Sequence, residues 1–201
     1  MKLAPFALAA ALVLSALTAT GPEDVHGNTY GTAGAPILIE VYSDFECPGC
    51  KNFHDTVLPQ MMRDFIASGK VYVIYRYFPL PGHPHSRQAA QLVAAAARVG
   101  KWQEAGDALF ASQQTWSQNG KVQETVDAVL TPAEQKKVHA LTSDPGVNAE
   151  IDHDLELGKA VPVPSTPTMV VMYKMRRYPI SGNGIFNYAL IKSFFDDLLK
   201  K

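Results

Sequence analysis

The feature that most constrains this chain is a change of periodicity at about residue 43. "ILIEVYS", residues 37–43, is a β-branched and aromatic run that reads as a buried strand opened by Pro36. The motif "SDFECPGCKNFH", residues 43–54, follows at once. From Pro48 onward Phe53, Val57, Met61 and Phe65 recur at helical spacing. Pro59 is expected to kink that helix and Gly69 to end it. "KVYVIYRYFPL", residues 70–80, reads as a second strand. Strand, helix and strand in this order predict a parallel pair with a crossover helix. The two cysteines of the chain, Cys47 and Cys50, thus sit where a strand hands over to a helix.

The rest of the chain is expected to complete an α/β domain. "HSRQAAQLVAAAARVG" predicts an alanine-rich helix ending at Gly100, and "KWQEAGDALFASQQTW" and "KVQETVDAVL" two more. Thr131-Pro132-Ala133-Glu134 is a capping box with proline at the first helical position. Asp144-Pro145 opens a further helix in the same way, and Gly158 is expected to end it. "TMVVMY" and "RRYPI" predict an antiparallel hairpin. "NYALIKSFFDDLLKK" predicts an amphipathic helix with Leu190, Ile191, Phe194 and Leu198 on one face. The order is βαβ, a helical block, then ββα: a three-layer domain with an all-helical insertion.

The ends and the charge balance narrow the function classes. Lys2 precedes the uncharged run Leu3–Thr20, which reads as a secretory signal or, at 18 residues, a short membrane anchor. Either implies export, to a compartment where disulfides persist. Residues 21–35 are Gly-rich and polar and read as an arm rather than a folding unit. A formal charge of −1 offers no basic excess for nucleic acid.

A Cys-x-x-Cys staple closes a very small loop and stabilises little, so the pair is to be explained by chemistry. Unpaired N–H groups and the macrodipole at a helix start favour thiolate at Cys47. Cys50 lies one turn inside and should be less accessible. This asymmetry makes Cys47 the sulfur that meets substrates and Cys50 the one that resolves them. The competing reading is zinc, with His54, His83 or His85 completing a site, but such sites usually want four ligands. The redox reading needs no metal and no cofactor beyond the Cys47–Cys50 disulfide.

The cysteine motif after a strand, the long helical block and "STPT" before a late strand together resemble the DsbA-like branch of the thioredoxin superfamily. "PGHPHSRQAAQLVAAAARVGKW" resembles the opening of that family's insertion. The resemblance covers about residues 36–200. It implies a thioredoxin fold with an all-helical insertion domain: residues 36–83 and 159–201 form the thioredoxin-like part and 84–158 the insertion, after a signal at 1–20 and an arm at 21–35. It implies that Cys47 is the nucleophile and Cys50 the resolving cysteine. Pro48 and Gly49 then tune the redox poise, Pro167 is a cis-proline facing the site, and Thr166 offers its backbone to an extended substrate. Pro-Gly stands where the best-known relatives have Pro-His, which should lessen oxidising power. The buried acid of those relatives falls at Val41 here. Glu40, Asp44 and Glu46 are nearby, and Glu40 and Asp44 are the candidates for a proton shuttle, although Glu40 belongs on the opposite face of its strand.

The expected activity is a protein disulfide oxidoreductase, monomeric and periplasmic or otherwise extracytoplasmic. It would oxidise unfolded or reduced secreted proteins and be reoxidised by a DsbB-like or VKOR-like membrane partner. The short stretch before the first strand argues against a dimeric isomerase. Disulfide reduction or isomerisation, and a thioredoxin-like binding or chaperone module, are the alternatives.

Overall fold

The computed structural model describes residues 27–200. The apolar run Leu3–Thr20 lies outside the described residues. A five-stranded sheet in the order β1-β3-β2-β4-β5 forms the centre. β2 (Ile37–Ser43) and β3 (Val71–Tyr77) pair in parallel, with Ile37 opposite Val71 and Ser43 opposite Tyr77. The crossover between them runs through α1 (Pro48–Asn52), a π-helical turn (Phe53–Val57), α2 (Leu58–Met61) and a second π-helical turn (Met62–Ile66). The chain therefore stays helical across Pro59, and the irregularity falls in the π turns on either side. Gly69, at φ 69°, closes the segment.

β4 (Thr168–Tyr173) pairs antiparallel with β2, and β5 (Arg176–Ile180) with β4. Lys174 and Met175 make their two-residue turn at positive φ, 45° and 63°. This is the backbone that hairpins of this length require.

The segment read as an arm holds a strand. β1 (Thr29–Tyr30) pairs antiparallel with β3, and Asn28 donates from Nδ2 to the Tyr75 carbonyl at 2.8 Å. Gly31 then passes so close to β3 that a Cβ would stand 2.6 Å from the Val71 carbonyl oxygen, which only glycine permits.

The helical block comprises α3 (Ser86–Ala97), α4 (Trp102–Ala111), α5 (Gln113–Asn119), α6 (Val122–Asp127), α7 (Pro132–Leu141) and α8 (Pro145–Ala160). The stretch 101–116 is two helices, because the chain breaks at Ser112 (φ −103°, ψ 13°). The capping box at Thr131 forms, with Glu134 Oε2 accepting the Thr131 N–H at 2.8 Å. Asp144 caps α8 by accepting the Gly146 N–H at 2.8 Å.

Gly158 does not end α8, which continues to Ala160. Its role is steric. A Cβ there would stand 2.3 Å from Phe78 Cε2 and 3.1 Å from Tyr42 Cδ1, so the missing side chain lets α8 lie flat on the sheet.

α9 (Tyr188–Leu199) closes the domain, and its buried face is Ile191, Phe195 and Leu198. Leu190 is exposed instead. Phe195 meets Phe65 edge to face at 5.2 Å, which fixes the rotation of the helix and turns Leu190 outward. Among the described residues no helix is long and apolar enough to cross a membrane.

Candidate active site

β2 ends at Ser43 and α1 begins at Pro48, so Cys47 is the residue that caps the helix, with extended backbone at φ −77°, ψ 122°. Proline at the first helical position suits this start, since its missing N–H would have had no partner. Cys47 is 9% exposed and Cys50 fully buried, both as free thiols. Across the site the Thr166–Pro167 peptide bond is cis, and the Cys47 Sγ lies 3.4 Å from the Thr166 carbonyl oxygen. Pro167 and Phe186 flank Gly49: a Cβ at Gly49 would stand 3.3 Å from Pro167 Cδ, 3.5 Å from Phe186 Cζ and 3.6 Å from Cys47 Sγ. Thus Cys47, Cys50, Pro48, Gly49, Thr166 and Pro167 share one place, although 119 residues separate Cys47 from Thr166.

The two sulfurs are electrostatically unlike. Cys47 is pulled down to about 5, mainly because the Cys50 thiol donates to it. Desolvation opposes this. The Thr166 hydroxyl and the backbone N–H groups of Cys50 and Gly49 reinforce it. That hydroxyl is buried with no well-formed hydrogen bond of its own. Cys50 moves the other way, because burial disfavours its charged form and the neighbouring Cys47 thiolate adds to that. The less buried sulfur, Cys47, is therefore the one that favours its ionised form.

Asp44 joins the site through its backbone. Its N–H reaches Cys50 Sγ at 3.3 Å, and its carbonyl accepts the Cys47 N–H at 3.1 Å. Its carboxylate turns toward the chain after β3 and meets His83 Nδ1 at 2.6 Å. Glu40 does not join the site. It lies on the opposite face of the sheet, where its Oε1 accepts from Arg76 Nη2 at 2.7 Å, while Arg76 Nη1 also donates to Asp154 at 3.0 Å. Glu46 is buried and accepts the His85 N–H at 2.8 Å.

Two contributors are not apparent from the sequence. Gln113, from α5 of the helical block, donates from Nε2 to the carbonyls of Phe45 and Cys47 at 2.7 and 3.0 Å, holding the motif's backbone from the side. Phe45 packs between Tyr75 at 5.6 Å and Phe110 at 5.1 Å, ring centre to ring centre. The helical block thereby touches the strand end directly. A glutamine at a helix start carries no pattern that announces such a bond.

A family profile described as thioredoxin matches residues 23–183. The chain belongs to the thioredoxin family. BdbD from Bacillus subtilis superposes with a TM-score of 0.72 over 88% of this chain and 95% of that one, at 21% identity. The α-DsbA1 of Wolbachia pipientis superposes at 0.68 over 86% and 92%, at 20% identity. The fold is accordingly the DsbA-like form of thioredoxin, with the helical insertion between β3 and β4. In sequence, the chain is 35% identical over 60 residues to the Probable disulfide bond formation protein D of Bacillus cereus, 30% of this chain and 28% of that protein. It is also 30% identical over 153 residues to the Na(+)/H(+) antiporter NhaA 1 of Mycobacterium sp. (strain KMS), 74% of this chain. The chain spans about a quarter of the length of each of these two curated relatives.

Proposed function

We propose that this protein is a thiol–disulfide oxidoreductase that works as a dithiol oxidase, exported and acting on reduced secreted proteins. The observation that carries the reading is the placement of Cys47: at a helix start, above buried Cys50, and against the backbone of Thr166.

The reaction begins with the Cys47–Cys50 disulfide. A substrate thiolate attacks Cys47 Sγ and forms a mixed disulfide. The Cys47–Cys50 bond breaks, and its electron pair leaves on Cys50, which takes up a proton. A second substrate thiolate then attacks the substrate sulfur of the mixed disulfide. Cys47 departs as a thiolate, and two substrate thiols have become one disulfide. A thiol with a depressed pKa leaves faster, so the stabilised Cys47 thiolate drives this second step. An extended substrate could meet the Thr166 backbone as an added strand would.

The reduced pair must then be reoxidised, a task suited to a membrane partner of the DsbB-like or VKOR-like kind. Reduction or isomerisation uses the same site in other directions, set by potential and partner.

The test is oxidation of a reduced, unfolded substrate protein by the pre-oxidised enzyme. The wild type should convert substrate thiols to disulfide stoichiometrically. Cys47→Ala should lose that ability entirely. A pre-oxidised wild type that left the substrate thiols unconverted would sink the oxidase reading and favour a binding module.

A further inference from the structure

The segment that follows β3 is tied to the two carboxylates of the cysteine motif at four points. The Leu80 N–H and His83 Nδ1 meet Asp44 Oδ2 at 2.9 and 2.6 Å. The Ser86 hydroxyl donates to Asp44 Oδ1 at 2.7 Å, and the His85 N–H donates to Glu46 Oε2 at 2.8 Å. The His83 N–H also bonds the Leu80 carbonyl at 3.0 Å. His83 is therefore held in place. Its ring keeps about a quarter of its surface in solvent, whereas the Asp44 side chain has none.

This arrangement answers an electrostatic conflict. Asp44 and Glu46 are buried carboxylates within three residues of Cys47. Like charge beside a thiolate disfavours it, and a buried carboxylate wants a counter-charge. Of the partners on the Asp44 carboxylate, the imidazole is the one that can carry positive charge. Lys51, in the last turn of α1, is already engaged with Asp55 and the Phe110 carbonyl.

We propose that His83 is a positioning residue of the exchange site: as an imidazolium clamped on Asp44, it cancels that carboxylate's charge beside Cys47 and so favours the thiolate. It supplies, from the segment after β3, the positive charge that Pro48-Gly49 does not carry. The proposal rests on the exchange reading above. Desolvation works against a charged ring. The hydrogen bond to Asp44 and the charges of Asp44, Cys47 and Glu46, which face it, outweigh that, so His83 titrates above the ordinary histidine value. The coupling is reciprocal. Oxidising Cys47 removes a negative charge and must weaken the hold of His83 on its proton.

The experiment compares His83→Gln, which keeps a donor for Asp44 without charge, with His83→Arg, which keeps both. Thiolate absorbance should place the Cys47 midpoint about 0.5–1 pH units higher in the glutamine variant. Its equilibrium with glutathione should shift about three- to tenfold toward the disulfide form, about 15–30 mV for a two-electron couple. Arginine should restore both values. A glutamine variant with wild-type midpoint and equilibrium would overturn the proposal, as would arginine behaving like glutamine. Should the variants fail to fold, wild-type NMR titration of the His83 ring decides: the midpoint should be higher in the reduced protein, and equal midpoints in the two redox states overturn it. Failure of the wild type to exchange with glutathione would defeat the exchange reading instead, and is seen separately.

Discussion

The Sγ of Cys47 lies 3.4 Å from the carbonyl oxygen of Thr166, and the Thr166 hydroxyl is buried beside the same sulfur. The first half of the chain supplies the reactive atom, and the turn just before β4 supplies its surroundings. The hydroxyl favours the ionised sulfur. Thr166→Val removes it at nearly constant size. The Cys47 midpoint should rise by about 0.5–1 pH units. Thermal stability should change little, since the hydroxyl has no structural partner to lose. Thiolate absorbance against pH, beside a melting curve, checks both.

The contrast between the two sulfurs gives a pH dependence. Alkylation of the reduced protein should rise with a midpoint near pH 5 and modify Cys47, leaving Cys50 unreacted through neutral pH. The sign for stability follows from linkage. The folded Cys47 pKa is depressed, so its contribution to the reduced form is fully present above the ordinary thiol range and is lost as pH falls through about 5. Cys50 is raised, so its effect changes only above its ordinary value. Denaturant unfolding of the reduced form should weaken between pH 8 and pH 4 more than that of the oxidised form.

On the other face of the sheet, one guanidinium serves two carboxylates. Arg76 bonds Glu40 and Asp154, and Asp154 also accepts the Tyr77 N–H at 2.9 Å. Burial, only partly offset by Arg76, pushes Asp154 up to about 7. A raised acid contributes stability that is full below the ordinary carboxylate value and is lost as pH rises through about 7. Asp154→Asn should flatten that loss, by about 2 kcal/mol between pH 5 and pH 8. Arg76→Leu should cost about 3–5 kcal/mol, because it leaves two buried carboxylates unpaired. Urea unfolding at both pH values measures the pair.

Gly158 is the point at which α8 rests on Phe78 and Tyr42. Gly158→Ala should destabilise by about 1–3 kcal/mol, despite alanine's better helix propensity, because its methyl meets an aromatic edge. Denaturant unfolding checks the sign, and a stabilised variant would mean that α8 lifts from the sheet at little cost.

Much of this was legible from local pattern. β2, the crossover helix and β3 announced themselves by β-branched runs and a 3.6-residue spacing, and the caps at Thr131 and Asp144 by their own side chains. What was not legible depended on distant partners. β1 is two residues in a polar stretch, and its pairing is set by β3 more than forty residues away. Leu190 and Phe195 are both plausible on an amphipathic wheel, and only the edge contact with Phe65 chooses between them. Strand alternation placed Glu40 on the far face, but Arg76 and Asp154 as its company came from two other elements. His83 looked like a stray ligand because Asp44, 39 residues earlier, gives it its meaning.

The central claim is that the thiolate at Cys47 is stabilised enough for the oxidised pair to give its disulfide away. The redox potential of Cys47–Cys50, titrated against glutathione, tests it most directly. The value should lie well above that of thioredoxin, which is about −270 mV. A value as low as thioredoxin's would contradict it and make the protein a reductant.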